Sequence, residues 1–203
     1  MITQLEQIKE LRNRTGAGIN IIKEALEHSK GDSEKALLYL REKGLAKATK
    51  RSDKSAENGF IAHYVHGEGN LAVLVEVNTE TDFASRNEKF RELAFNIALH
   101  IAAAEPEYVS VEDVPADLLE KERGIAKSSI DGNKPEAIVN KIIEGRMEKF
   151  YQETVLLEQT YVKDETKKIK DLINDTVAAI GEKIEIGRFC RMKINASATA
   201  CRI

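Results

Sequence analysis

Several places in the chain bring together residue types that could do chemistry. Cys190 and Cys201 are its two cysteines. Neither has a histidine and an acid at a spacing recognisable as a nucleophilic triad, and two thiols are too few for a disulfide scaffold or a zinc site, so reduced cysteines are expected. His63 and His66 lie close together but have no further histidine or cysteine at ligand spacing, which makes them solvent-facing residues rather than metal ligands. Thr15-Gly16-Ala17-Gly18 could suggest a phosphate-cradling loop, yet it follows a helix pattern rather than a strand and lacks the Gly-Lys-Ser/Thr ending. The remaining cluster is Thr81-Asp82-Phe83-Ala84, a hydroxyl, a carboxylate and a large aromatic where a strand pattern gives way to a helix pattern. Two readings are open: Asp82 caps the helix and Phe83 tucks into the core, or Phe83 projects outward as an anchor for a partner.

The elements around that corner follow from periodicity. Leu71, Val73, Val75 and Val77 alternate with Ala72, Leu74, Glu76 and Asn78, the period of a half-buried strand. Phe90, Leu93, Ala94, Ile97, Ala98, Ile101 and Ala102 then form one helical face, and Ser85 with Glu88 reads as a capping box starting that helix near Arg86. Upstream, Thr3 and Glu6 form another capping box ahead of Leu5, Ile8 and Leu11. A second helix carries Ile21, Ile22, Ala25 and Leu26 to Gly31, and Asp32 caps a third with Ala36, Leu37 and Leu40, ended by Gly44. Residues 1–45 are therefore expected to be a small three-helix bundle, and residues 46–58, basic and without periodicity, a linker.

Residues 59–194 are expected to be an α+β core. Gly59–Val65 and Leu71–Asn78 make a hairpin around Gly67-Glu68-Gly69-Asn70. Pro115 opens a helix with Leu118, Leu119 and Ile125, and Asp131-Gly132-Asn133-Lys134-Pro135 is a turn. Ile138, Val139, Ile142, Ile143, Met147, Phe150 and Tyr151 continue a helical face through Gly145, a glycine expected to permit close packing. Val155–Val162 is apolar and expected against the core or a partner. Asp164 is expected to cap a last helix with Ile169, Leu172, Ile173, Val177 and Ile180, closed by Gly181. A final strand carries Ile184, Ile186, Cys190, Met192 and Ile194 on one face, interrupted by Arg188. It is expected to pair with the hairpin in a three-stranded antiparallel sheet covered by helices. Residues 195–203 match no pattern and are open to disorder.

Composition narrows the function. The chain has 203 residues, 32% of them charged, and a formal net charge of -3. That balance argues against a general nucleic-acid binder, which needs a basic excess to neutralise phosphates. No apolar run is long enough for a bilayer, and residues 1–4 carry no signal pattern, so nothing directs the chain to a membrane or out of the cell. Neither catalytic acid–base pairs nor metal-ligand clusters stand out, and no cofactor is expected.

Ordered motifs nevertheless point to a family. Leu11-Arg12-Asn13-Arg14-Thr15-Gly16-Ala17-Gly18, Thr81-Asp82-Phe83, Tyr108-Val109-Ser110, Glu144-Gly145-Arg146-Met147-Glu148-Lys149-Phe150-Tyr151, Leu156-Leu157-Glu158-Gln159 and Arg188-Phe189 together make the chain resemble the short form of the bacterial or organellar elongation factor Ts family. That resemblance implies a guanine-nucleotide exchange factor in protein biosynthesis, acting on elongation factor Tu in its GDP-bound and nucleotide-free forms, in a bacterial cytoplasm or an organelle interior. It implies that a ubiquitin-associated-like bundle touches the partner through Arg12, Gly16, Ala17, Gly18 and Ile19. It also implies that Thr81, Asp82, Phe83 and Ala84 enter a groove of the partner and displace its magnesium ion, which favours the outward reading of Phe83. The sequence departs from the family at Ala84-Ser85, at Ile19-Asn20-Ile21-Ile22 and at Thr160-Tyr161. A passive protein-docking module built on the same bundle is the alternative. A homodimer pairing through the final strand and Cys190 is also open.

Overall fold

Spacing of apolar residues carries over into the structure element by element. A computed structural model of the chain describes residues 4–15, 17–51, 53–130 and 135–195. In order, the elements are helices α1 (Gln4–Thr15), α2 (Ile19–His28) and α3 (Ser33–Arg51), strands β1 (Asn58–His66) and β2 (Leu71–Thr79), helices α4 (Asp82–Ser85), α5 (Glu88–Ala104), α6 (Ala116–Ser128) and α7 (Glu136–Thr154), strands β3 (Thr160–Tyr161) and β4 (Asp164–Lys168), helix α8 (Ile169–Ile180) and strand β5 (Ile184–Lys193). They form two compact units. One takes the chain up to Ala62 with Val75–Asn96 and Asp171–Gly187, and the other takes His63–Leu74, Ile97–Lys170 and the chain from Arg188.

In the first unit, α1, α2 and α3 bury Ile8, Leu11, Ala17, Ile22, Ala25, Leu26, Ala36 and Leu40 against one another. Leu5 is not part of this core and stays 63% exposed. Steps of three residues at about 100° each fall short of a full turn, so Leu5 is carried well away from the direction of Leu11. Asp32 caps α3, accepting the N–H groups of Glu34 and Lys35 at 3.1 Å each. The Thr3 capping box and Gly16 lie outside the described residues.

Helix α3 does not stop at Gly44 but continues to Arg51, so the expected linker begins as helix. Packing overrides the glycine signal. A Cβ on Gly44 would stand 3.0 Å from the Cβ of Ala178 on α8, and Arg41 pairs with Asp171 at 2.9 Å. A glycine that sequence marks as a helix end is a contact point inside one.

Strands β1, β2 and β5 form the expected three-stranded sheet in that order. It is antiparallel: Gly59 faces Val77 and Asn78, and the Ile194 N–H donates to the Asn70 carbonyl at 3.0 Å. Leu71, Val73, Val75 and Val77 are buried, as are Phe90, Leu93, Ala94, Ile97, Ala98, Ile101 and Ala102 along α5. Strand β5 differs from expectation. Ile184 and Ile186 are buried, but Gly187 and Arg188 are both exposed, after which Phe189 and Arg191 face inward and Met192 and Ile194 outward. Two consecutive exposed residues shift the alternation by one, so the apolar set is split between two faces. Cys190 is half-buried in β5. Cys201 lies outside the described residues.

In the second unit, Tyr108, Val114 and Val155 pack with Val111, Leu118, Leu119, Phe150 and Tyr151. Arg146 on α7 donates to the Ala126 carbonyl and to Ser129 Oγ, satisfying acceptors at the end of α6. Gly145 does not permit a close approach, since a Cβ there would meet nothing within 4 Å. Val155 and Leu156 are fully buried, as the apolar segment suggested. Asp164 does not cap α8. It lies in β4, which pairs antiparallel with β3, and its Oδ1 accepts from the Thr166 N–H and hydroxyl; this local turn outcompetes the cap. The predicted turn at 131–134 lies outside the described residues.

Candidate partner-binding site

Strand β2 ends at Thr79, and the chain turns at once into α4, a helix of 4 residues. Thr81 is its N-cap, with φ -130° and ψ 159°, and its hydroxyl accepts the Ala84 N–H at 3.3 Å. Asp82 is therefore not the cap. It sits in the first turn, where a carboxylate faces the positive end of the peptide dipoles, and pairs with Arg86 at 3.0 Å. Ser85 does not cap the long helix either, because its hydroxyl donates back to the Asp82 carbonyl at 2.8 Å. Asn87 takes that role: its Oδ1 accepts from the Lys89 N–H at 2.9 Å and its carbonyl from the Arg91 N–H at 3.0 Å.

This extra turn decides where Phe83 points. The ring is 79% exposed, while Ala84, Ser85 and Phe90 around it are buried. Leaving a phenylalanine in water forgoes about 1.5–3 kcal/mol of burial, which becomes available on docking. Ala84 is only 4% exposed, so its methyl group belongs to the chain's own core. The projecting surface consists of Asp82 and Phe83.

Two carboxylates hold the corner. Glu182, just beyond α8, accepts from the Thr79 hydroxyl at 3.3 Å, the Thr81 N–H at 3.0 Å and the Thr81 hydroxyl at 2.8 Å. Glu80 accepts from the Lys183 N–H at 2.7 Å and from Arg51 at 2.6 Å. The Lys183 N–H, with Arg51 beside it, holds the Glu80 carboxyl below its ordinary value. The Asn58 amide donates to the Glu80 carbonyl at 2.9 Å. Sequence reasoning missed both acids, because their partners lie far away in the chain and no local pattern marks them.

Of the bundle residues singled out by sequence, Arg12, Gly18 and Ile19 are exposed and Ala17 is buried. Among the described residues the Arg12 guanidinium has no ion pair or hydrogen bond, whereas Arg14 is tied to Glu34 at 2.9 Å. A Cβ on Gly18 would meet nothing within 4 Å, so that backbone is open to an approaching surface. Among the described residues, no group of three or more His, Cys, Asp or Glu could hold a metal ion. Among the same residues, no helix is long and apolar enough to cross a membrane.

Comparison with known proteins places relatives along most of the chain. The family profile described as Elongation factor TS matches residues 30–176. Elongation factor Ts of Acetivibrio thermocellus is 51% identical over 189 residues, covering 93% of this chain and 88% of the relative. The Thermotoga maritima protein of the same name is 50% identical over 194 residues, 96% of this chain and 97% of its own, and that of Solidesulfovibrio magneticus is 50% identical over 192 residues, 94% and 96%. With a projecting Phe83, a tethered corner and an open bundle edge on a chain so matched along its length, the protein belongs to the elongation factor Ts family of translation factors.

Proposed function

We propose that this chain is a guanine-nucleotide exchange factor for elongation factor Tu in a bacterial cytoplasm or an organelle interior, and that it works by differential binding rather than by chemistry. A factor that binds the nucleotide-free partner more tightly than the GDP-bound one must weaken GDP binding by the same ratio. Asp82 and Phe83 enter a groove of the partner and separate elements that hold phosphate and magnesium. Loss of the cation removes a main electrostatic clamp on the phosphates, and GDP leaves. Arg12, Gly16, Ala17, Gly18 and Ile19 supply a second contact through the bundle. The chain needs neither nucleotide, metal nor a catalytic acid or base of its own.

The observation that carries this reading is the 79% exposure of Phe83 on a tethered corner. Burying an aromatic anchor at a rigid site concentrates binding energy in few atoms, as interface hot spots do. The test is release of a fluorescent GDP analogue from elongation factor Tu. Saturating chain is expected to raise the off-rate at least tenfold, and an unchanged off-rate with measurable binding would leave only a passive docking module.

A further inference from the structure

We propose that Glu182 is a positioning residue for exchange, holding the corner so that Phe83 is presented before the partner arrives. This rests on the reading of Phe83 as the wedge and adds what aims it.

The argument begins with the size of α4. Its 4 residues are far below the length of about 12–15 residues at which a helix is even marginal alone, so its geometry is imposed from outside. The Thr81 hydroxyl has one proton and donates it toward Glu182, at 2.8 Å to Oε1 and 3.1 Å to Oε2. With the proton committed there, the hydroxyl lone pairs are left for the Ala84 N–H at 3.3 Å. The carboxylate thus fixes the rotor of the residue that caps the turn carrying Phe83. It also takes the Thr81 N–H and the hydroxyl of Thr79, a residue with no exposure at all. Hydrogen bonds to a carboxylate are the strong kind.

The clasp runs in both directions. Glu182 accepts from the corner, while Glu80 of the corner accepts the Lys183 N–H of the loop that carries Glu182. Gly181, at φ 86°, turns the chain out of α8 and delivers that loop. The tethered turn displays one large side chain, Phe83, to solvent. A turn ordered beforehand does not have to be ordered on docking, so the tether belongs to affinity for the partner rather than to the wedge's action once seated.

The experiment is a cycle of Phe83→Ala and Glu182→Ala, read by release of the fluorescent GDP analogue from elongation factor Tu over a range of factor concentrations. Glu182→Ala is expected to raise the half-saturating concentration at least tenfold while the release rate at saturation stays within about twofold of wild type. In the Phe83→Ala background the same change is expected to add less than twofold, because the tether then no longer aims the aromatic anchor. Glu182→Gln keeps one acceptor oxygen and is expected to fall between wild type and Glu182→Ala. Should Glu182→Ala fail to give a cooperative thermal transition, Glu182→Gln carries the test, with an expected rise of at least threefold. Wild-type half-saturation in the folded variant, or an equal loss with and without Phe83, overturns the proposal. If instead Phe83→Ala alone behaves as wild type, the wedge reading has failed and the aiming of Phe83 fails with it.

Discussion

His100 is fully buried on α5, and both ring nitrogens are used. Nδ1 accepts the Val162 N–H at 3.4 Å, which places the proton on Nε2, donating to Gln159 Oε1 at 3.0 Å. Gln159 in turn donates to the carbonyls of Ala104 and Glu153. Burial pushes the His100 pKa below its ordinary 6.5. The sign follows: below that ordinary value the unfolded chain takes up a proton that the folded chain refuses, so stability is full above it and is lost as pH falls toward the lowered folded value. Glu80 and Glu158 are held below their ordinary 4.5, so their contribution is lost only in more acidic solution. The denaturation midpoint is therefore expected to be lower at pH 5.5 than at 7.5, and His100→Asn should flatten that difference. At pH 7.5 the same substitution should cost about 1–3 kcal/mol for the groups left without partners. Urea titrations at the two pH values measure both effects. In the sequence nothing marks His100, since its partners come from a distant segment.

Helices α3 and α7 each contain a glycine, and the two should respond in opposite ways. Gly44 is seated against Ala178, where a Cβ would come within 3.0 Å. Gly44→Val is expected to destabilise by about 1–3 kcal/mol through forced displacement of packed elements. A methyl group on Gly145 would meet nothing within 4 Å, so Gly145→Ala should stabilise by up to about 1 kcal/mol, a rise in Tm of about 2–4 °C for a chain of this length. Thermal unfolding of both variants checks the pair. Sequence reads Gly44 as a helix end and Gly145 as a close-packing site, and the structure reverses both, because propensity is local and the neighbour that decides is not. The same limit explains β5, whose alternation was legible up to Ile186 and then shifted at Gly187-Arg188. It also explains α4, which no apolar period marks and whose cap residue Thr81 is bonded to an acid 101 residues away. Where one face is buried over many residues, as in β2 and α5, pattern alone was sufficient.

For the whole molecule, the three strands of the sheet and the three-helix start were legible because burial leaves a period, whereas the edge of the hairpin that β5 joins was not. Local residues left the site as a pair of readings, buried or projecting, and only the family resemblance favoured projecting; in the structure Phe83 is exposed and Ala84 buried. The proposed function at this scale is a statement about two binding equilibria. The ratio of affinities for nucleotide-free and GDP-bound elongation factor Tu should equal the ratio by which the chain weakens GDP. Calorimetry on the four legs of that cycle should close within error. Asp82 and Phe83 are the part of the chain asked to supply the difference, and the most direct measurement is stopped-flow release of a fluorescent GDP analogue with Phe83→Ala at saturating concentration. The account predicts an off-rate at least tenfold below that with the wild-type chain, about 1.4 kcal/mol of lost transition-state stabilisation, with folding intact; a wild-type off-rate would contradict it.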